Sequence, residues 1–375
     1  MRTARATAAA VTTATGVLAA AIAAGRLVSD AALKAPAGRP LPTEPRLTVH
    51  AVAAGHVTLT RDLASLRPGT YGLAGDGFHA VVGPVAESAP HAADTVVRRL
   101  ERVTHGTLEP GAHAWLTPQV HIGDPASALG LEHADIDVPG ELGGLPAWFV
   151  PGARDTWVIT VHGLGTTREH PMNVMEFLHR HQFPVLDLAY RGDLGAPRSP
   201  DGLHHLGETE WRDLDAALRY AVRYGARRVV LYGWSTGAAM ALHAAAHCAL
   251  RERIAGLVLD SPVLGWETTL RALARAHRSP GFLMPLAVRA AQGRTGLHGD
   301  TLAEAADPAG LTVPTLLVHG PGDEVAPWAL SRRLAAARPD LVTLHTVDDA
   351  PHNAMWNADP DRYEETLRRF LTPLM

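Results

Sequence analysis

Val229-Val230-Leu231-Tyr232-Gly233-Trp234-Ser235-Thr236-Gly237-Ala238-Ala239 is the stretch on which the reading of this chain turns. An apolar, β-branched run ends in Gly-x-Ser-x-Gly, and an Ala-rich helical pattern (Ala238, Ala239, Met240, Ala241, Leu242) begins at once. The spacing predicts a strand, a sharp turn and a helix, with Ser235 exposed on the turn as a nucleophile elbow. Gly233 and Gly237 are small because such a turn brings the strand and helix backbones close together. The helix N-terminus then faces the reacting centre and favours developing negative charge.

A serine hydroxyl is a poor nucleophile until a base takes its proton, and the base needs a carboxylate to hold one tautomer. Both follow in the chain. A buried-strand pattern, Pro314 to Gly320, runs into Pro321-Gly322-Asp323-Glu324. Asp323 therefore falls just past a strand's carboxyl end, where open α/β sheets bind their ligands. A third strand pattern, Leu341 to Val347, precedes Asp348-Asp349-Ala350-Pro351-His352-Asn353. The chain has 21 histidines, and His352 is singled out by this position. His319 and His345 lie inside strand patterns and read as structural. Asp260, which ends the strand pattern Gly256 to Leu259, is the alternative acid. Asp348 and Asp349 precede His352 too closely to turn back onto it, and Glu324 reads as a loop surface charge.

An oxyanion needs two backbone N–H donors. The residue after the nucleophile, Thr236, supplies one. The strand pattern Thr156 to Val161 runs into His162-Gly163-Leu164-Gly165, which makes Leu164 the second, with glycines on each side to let the backbone turn. His162 reads as a structural side chain bonding within that loop.

Composition fits a chain with a substantial core: 375 residues, 46% hydrophobic. The net charge of −4 and the lack of a basic stripe argue against a nucleic-acid partner. The single cysteine, Cys248, excludes an intrachain disulfide framework and reads as a packed thiol in the helix after the elbow. Lys34 is the only lysine, a bias consistent with GC-rich coding.

Residues 1–30 read as a membrane-anchor or signal-like helix. Ala8 to Gly25 is apolar but Ala- and Thr-rich, flanked by Arg2, Arg5 and Arg26. At about 18 residues it is barely long enough to span a bilayer. The expectation is membrane association through this single segment, while Ala-x-Ala sites near residues 21 to 24 leave cleavage and secretion open, and a cytoplasmic leader is the third alternative. Residues 31–45 form a Pro-rich linker. Residues 46–115 read as a small β-rich accessory domain, with strands near Leu47 to Val52, His56 to Leu59 and Val96 to Val103, and a hairpin over Gly75 to Gly83. Residues 116–375 carry the α/β pattern. Ile136 to Val138 and Ala147 to Val150 open it as antiparallel strands, Pro184 to Ala189 adds another, and a helix over Glu208 to Arg223 packs through Trp211, Leu214, Ala217 and Leu218. Glu210 and His205 are noted as pocket residues. Residues 262–311, with Trp266, Leu270, Leu273 and Phe282, form an insertion that reads as an apolar cap over the site or as ordinary packing helices.

His162-Gly163-Leu164-Gly165, Tyr190-Arg191-Gly192, Gly233 to Gly237, Gly320 to Asp323 and His352 together make residues 116–375 resemble serine hydrolases of the α/β-hydrolase fold. More narrowly, the chain resembles actinobacterial α/β-hydrolases with an N-terminal membrane-anchor segment, which carry stretches like Gly207-Glu208-Thr209-Glu210-Trp211-Arg212-Asp213 and Trp356-Asn357-Ala358-Asp359-Pro360. The resemblance implies a mostly parallel central sheet flanked by helices, behind a small N-terminal β-rich domain. It implies a carboxylesterase- or lipase-like enzyme acting on a small-molecule acyl ester. Ser235, Asp323 and His352 would be catalytic, Leu164 and Thr236 would donate to the oxyanion, and neither metal nor cofactor would be needed. Relatives usually show Ser-Met-Gly-Gly where this chain has Ser235-Thr236-Gly237-Ala238, a change that keeps the backbone N–H. Thioesterase, acyltransferase and peptidase chemistry on the same residues remain alternatives, as does a catalytically silent binding protein.

Overall fold

The computed structural model of the protein describes Leu33 and residues 44–276, 284–295 and 300–375. The Ala8–Gly25 segment and nearly all of the Pro-rich linker lie outside the described residues, among which no helix is long and apolar enough to cross a membrane.

Among the described residues, six antiparallel strands close into a barrel: β1 (Leu47–Ala53), β2 (His56–Thr60), β3 (Tyr71–Gly75), β4 (Phe78–Val85), β5 (Thr95–His105) and β6 (His113–Thr117), in the order β1-β2-β5-β4-β3-β6. Alternate residues point inward. Leu47, Val49, Val57, Leu59, Leu73, Val82 and Leu116 meet in one buried cluster. Closure comes from β6, which pairs with β1 (Leu47 opposite Ala114) and β3 (Leu73 opposite Leu116). Arg98 is fully buried inside this wall and, among the described residues, makes no ion pair with a carboxylate. Its guanidinium donates instead to the carbonyls of Gly83, Ser65, Arg67 and Gly69, which ties the β2–β3 loop to the barrel. Burial pushes its pKa down to about 10, against the opposing pull of Tyr71, over whose ring it sits.

Beyond the barrel, among the described residues, eight strands form one sheet. They are β7 (Ala134–Pro139), β8 (Gly144–Val150), β9 (Thr156–Val161), β10 (Val185–Leu188), β11 (Arg228–Trp234), β12 (Ile254–Asp260), β13 (Thr315–His319) and β14 (Val342–Thr346). The order is β14-β13-β12-β11-β9-β10-β8-β7, with β7 and β8 antiparallel to their neighbours and all other pairs parallel. The central strands read as continuous apolar runs because helices cover both faces. Residues alternate between two cores: Ile159, Val161, Val229 and Leu231 point to one, Val158, Val230 and Tyr232 to the other. The first core is covered by α3 (Trp211–Arg223) and α4 (Thr236–His247), the second by α2 (Met172–Arg180) and α10 (Pro360–Leu371); a short α1 (Pro125–Leu129) precedes β7. α3 starts at Trp211, later than the sequence pattern suggests, because Glu208 and Glu210 are spent in the loop before it.

After β12, the segments α5 (Trp266–Ala276), α6 (Met284–Thr295) and α7 (Asp300–Ala305) contribute Trp266, Leu270, Leu273, Val288 and Leu302 to a third apolar cluster. Leu33, Leu164 and Val325 belong to the same cluster, so these helices pack over the sheet's carboxyl edge. The helices α8 (Trp328–Ala337) and α9 (Met355–Ala358) complete the described elements.

Candidate active site

β9 sends its following strand β10 to one side and has β11 on the other, which opens a crevice at the carboxyl ends of the strands. Ser235 stands there, at the turn from β11 into α4, with φ 52° and ψ −111°. This is a left-handed conformation that a non-glycine residue adopts only when its surroundings impose it, at a cost of about 1–3 kcal/mol. The imposing contacts are close. A Cβ on Gly233 would lie 2.3 Å from the Gly237 backbone, and one on Gly237 would lie 2.3 Å from the Val161 carbonyl. The Ser235 N–H donates to the Asp260 carbonyl at 2.9 Å, and the Ser235 carbonyl accepts from Val263 at 3.2 Å.

His352 meets Ser235 from the loop after β14. Its Nε2 lies 2.7 Å from Ser235 Oγ, and its Nδ1 lies 2.7 Å from Asp323 Oδ2. The carboxylate can only accept, so Nδ1 carries the proton and Nε2 presents its lone pair to the hydroxyl. Asp323 Oδ1 accepts from the backbone N–H groups of Val325 and Ala326, each at 2.8 Å. Burial alone would raise the Asp323 pKa. The charge of His352 and hydrogen bonds from His319 and His352 outweigh it and hold the group well below the usual carboxylate range.

Asp260, the alternative acid, does not reach His352. Its carboxylate accepts from Ser261 Oγ at 2.7 Å and Tyr363 OH at 2.8 Å, and Ser261 Oγ accepts from the Asn353 N–H at 3.1 Å. Asp260 thus braces the histidine loop from behind. Burial pushes its pKa up to about 6, against those two hydrogen bonds.

Leu164 and Thr236 flank Ser235, both buried. A Cβ on Gly163 would sit 2.7 Å from Ser235 Cβ, so only glycine lets this loop approach. The Gly163 carbonyl accepts from His162 Nδ1 and from Thr166 Oγ1, both at 2.9 Å. In a trans peptide the next N–H, that of Leu164, points the opposite way. His162 also donates from Nε2 to Asp193 at 2.8 Å. Burial would lower its pKa, but the Asp193 carboxylate prevails and raises it. His162 is the loop brace that its place in the sequence suggested.

His345 makes no contact with this group, and Glu324 is exposed. Glu210 and His205 hold their own loop: Glu210 accepts from the His205 and Gly207 N–H groups, and His205 bonds to Thr209 and Asp201. The Cys248 thiol is buried against Asp215 at 2.7 Å, and burial pushes it up to about 12. What the sequence did not reveal is His319, whose Nε2 lies 3.0 Å from Asp323 Oδ2 and whose Nδ1 lies 2.7 Å from Ser331 Oγ. Its place four residues before the acid, at the end of β13, is the signal that could have found it.

The barrel closes over this site. Gln119 donates to Thr167 and Glu169, Asn357 donates to the carbonyls of Thr70 and Pro118, and Gly69 abuts the Asn357 carbonyl. Between barrel and sheet a cleft of about 380 Å³ runs down to Leu164, His352 and Asn353. On the other side of Ser235 a space of only about 10 Å³ is walled by Leu206, Val263, Thr269, Leu273 and Val325.

Residues 152–297 match the family described as "Serine aminopeptidase, S33", a span that contains Ser235 and ends before Asp323 and His352. Residues 48–117 match a "Domain of unknown function (DUF8805)". The "Uncharacterized protein YfhR" of Escherichia coli O157:H7 is 25% identical over 234 residues, 60% of this chain and 76% of that protein. The Pyrococcus furiosus esterase Pf2001 superposes with a TM-score of 0.53 at 22% identity, covering 68% of this chain and 95% of the esterase. A second crystal form of the same esterase gives 0.54 at 20% identity. The sheet order, the elbow and these likenesses make the larger domain of this chain an α/β-hydrolase fold, preceded by a six-stranded barrel.

Proposed function

We propose that the protein is a serine hydrolase that cleaves a carboxylic ester through an acyl-enzyme. The observation that carries this is the hydrogen-bonded line Ser235 Oγ, His352, Asp323, with 2.7 Å at each link. His352 Nε2 takes the hydroxyl proton as Oγ attacks the ester carbonyl. The Leu164 and Thr236 N–H groups receive the oxyanion. Collapse breaks the C–O bond, and the leaving alcohol takes the proton from His352. Water then repeats the sequence on the acyl-enzyme, with Asp323 stabilising the imidazolium in both halves.

Ester hydrolysis is separated from thioester, peptide and acyl-transfer chemistry by the leaving group, and from silent binding by the nucleophile. Incubation of the full chain with a fluorophosphonate, followed by peptide mass spectrometry, should place the adduct on Ser235. A panel of p-nitrophenyl esters, acyl-CoA thioesters and aminoacyl anilides should show the esters fastest. An unlabelled Ser235, or an anilide turned over faster than any ester, would overturn this assignment. Membrane association through Ala8–Gly25 belongs to the same proposal. It rests on the arginine-flanked apolar run alone, and recovery of uncleaved chain in the soluble fraction of the host would overturn it.

A further inference from the structure

The small space beside Ser235 and the larger cleft under the barrel differ in size and in chemistry. The first holds about one water molecule and is mostly apolar. The second is walled by the barrel's Asp76 and Trp115 and by Glu44, Glu169 and Asn353, and no arginine or lysine is among its described lining residues. Arg67 pairs with Glu44 at 2.7 Å. Glu169, by contrast, is held only by neutral donors: the Gly123 N–H at 2.8 Å, and Gln119 Nε2 and Thr167 Oγ1 at 3.1 Å each. Glu169 therefore brings a carboxylate without a cationic partner to the cleft wall, beside the acceptors of the other lining residues. Trp115, half-buried on β6, adds a flat apolar face.

A separate observation sits at its floor. Asn353, next to His352, is 3% exposed, and its Oδ1 has no hydrogen-bond donor. A buried acceptor left unpaired costs about 1–3 kcal/mol, a cost that a donating hydroxyl would remove. Its backbone is held at φ 64°, and its amide nitrogen faces the Gly163 position, 3.1 Å from where a Cβ would lie. Asn353 also lines the cleft, one residue along the chain from the general base.

We infer that the cleft between barrel and sheet is the leaving-group subsite, and that it selects an uncharged polyhydroxy alcohol esterified with a short acyl group. This rests on the ester reading above. The short acyl chain occupies the small space beside Ser235. The polyol fills the cleft, donates a hydroxyl to Asn353 and lays its carbon face on Trp115. The Glu169 carboxylate repels phosphorylated or carboxylated alcohols. When the acyl C–O bond breaks, the alcohol oxygen takes the proton from His352 Nε2 and departs under the barrel. The barrel thereby acquires a role in specificity.

The test compares kcat/KM of the full chain for glycerol monoacetate, a methyl glucopyranoside acetate, propyl acetate and acetylated glycerol phosphate, with p-nitrophenyl acetate as the reactive reference. The neutral polyol esters should exceed propyl acetate by about two- to ten-fold, the worth of one neutral hydrogen bond. The phosphate ester should be the poorest. The glycerol and pyranoside arms separate a lipid-type from a sugar-type alcohol. Asn353→Gly, which tolerates the left-handed backbone, should bring the polyol-to-propyl ratio close to one, and Trp115→Ala should lower the pyranoside-to-glycerol ratio. Hydrolysis of p-nitrophenyl acetate with no preference among the alcohols, or with the phosphate ester preferred, would overturn the inference and leave the ester reading intact. Failure to turn over any ester would overturn both.

Discussion

His319 and His352 donate to the same oxygen of Asp323, from 3.0 and 2.7 Å. His319 is fixed in turn by Ser331, which donates to its Nδ1. The second histidine therefore sets the rotation of the carboxylate that sets the tautomer of the first. It touches neither Ser235 nor the cleft and acts as a positioning residue. His319→Ala should lower kcat by about ten-fold, the scale of one charge-assisted hydrogen bond, with KM little changed, and should shift the pH at which kcat falls on the acid side. His319→Gln, which can still donate to Asp323, should recover part of the loss. An unchanged pH profile in a folded His319→Ala would show that the contact is only structural.

The two strand-end aspartates make a second comparison. Asp323→Asn should cost about 10³- to 10⁴-fold in kcat, because the imidazole loses the acceptor that holds its tautomer. Asp260→Asn should cost far less, since it reaches the histidine loop only through Ser261 and Asn353. Equal losses, or a larger loss for Asp260→Asn, would contradict the roles given to them.

Gly163→Ala tests the close approach at the oxyanion loop. The added Cβ would sit 2.7 Å from Ser235 Cβ and 3.0 Å from the Trp234 carbonyl, so loop or serine must move. A displacement of that order at a reacting centre is expected to lower kcat by about 10²-fold. Activity within two-fold of the parent, in a variant with an unaltered melting curve, would remove the loop from the site.

Asp187 links the buried sheet to pH. It lies fully buried on β10, and burial pushes its pKa up to about 7, although Thr160 donates to it at 2.7 Å. In the unfolded chain a carboxyl titrates near pH 4 (about 3.9 for Asp). Between about pH 4 and 7 the folded state binds more protons, so this group's contribution makes stability fall as pH rises through that window. Asp187→Asn should flatten the profile of Tm against pH and be relatively more stable above pH 7. An identical slope in the variant would show that Asp187 does not titrate there.

How much of this was legible in the sequence follows from how local each feature is. The elbow is written in adjacent residues, since Gly233, Ser235 and Gly237 meet each other and the end of β9. The alternation that divides Val229 and Leu231 from Val230 and Tyr232 was readable as a buried strand. The barrel's closure was not, because it depends on pairing Leu47 with Ala114 across most of the domain. Both Asp260 and Asp323 end strand patterns, and pattern alone could not choose between them. Space decides: Asp260 is still inside β12, where its side chain meets Tyr363 from α10, whereas Asp323 lies beyond β13 and stands over the sheet edge facing His352. The cleft could not be read from sequence either, since its walls come from two domains.

The most direct test of the central claim is ester turnover by Ser235→Ala, purified as the full chain and shown by its melting curve to be folded. With the nucleophile removed, kcat on p-nitrophenyl acetate should fall by about 10⁵- to 10⁶-fold, because the three side chains act as a unit. A folded Ser235→Ala that keeps turnover within ten-fold of the parent would contradict it.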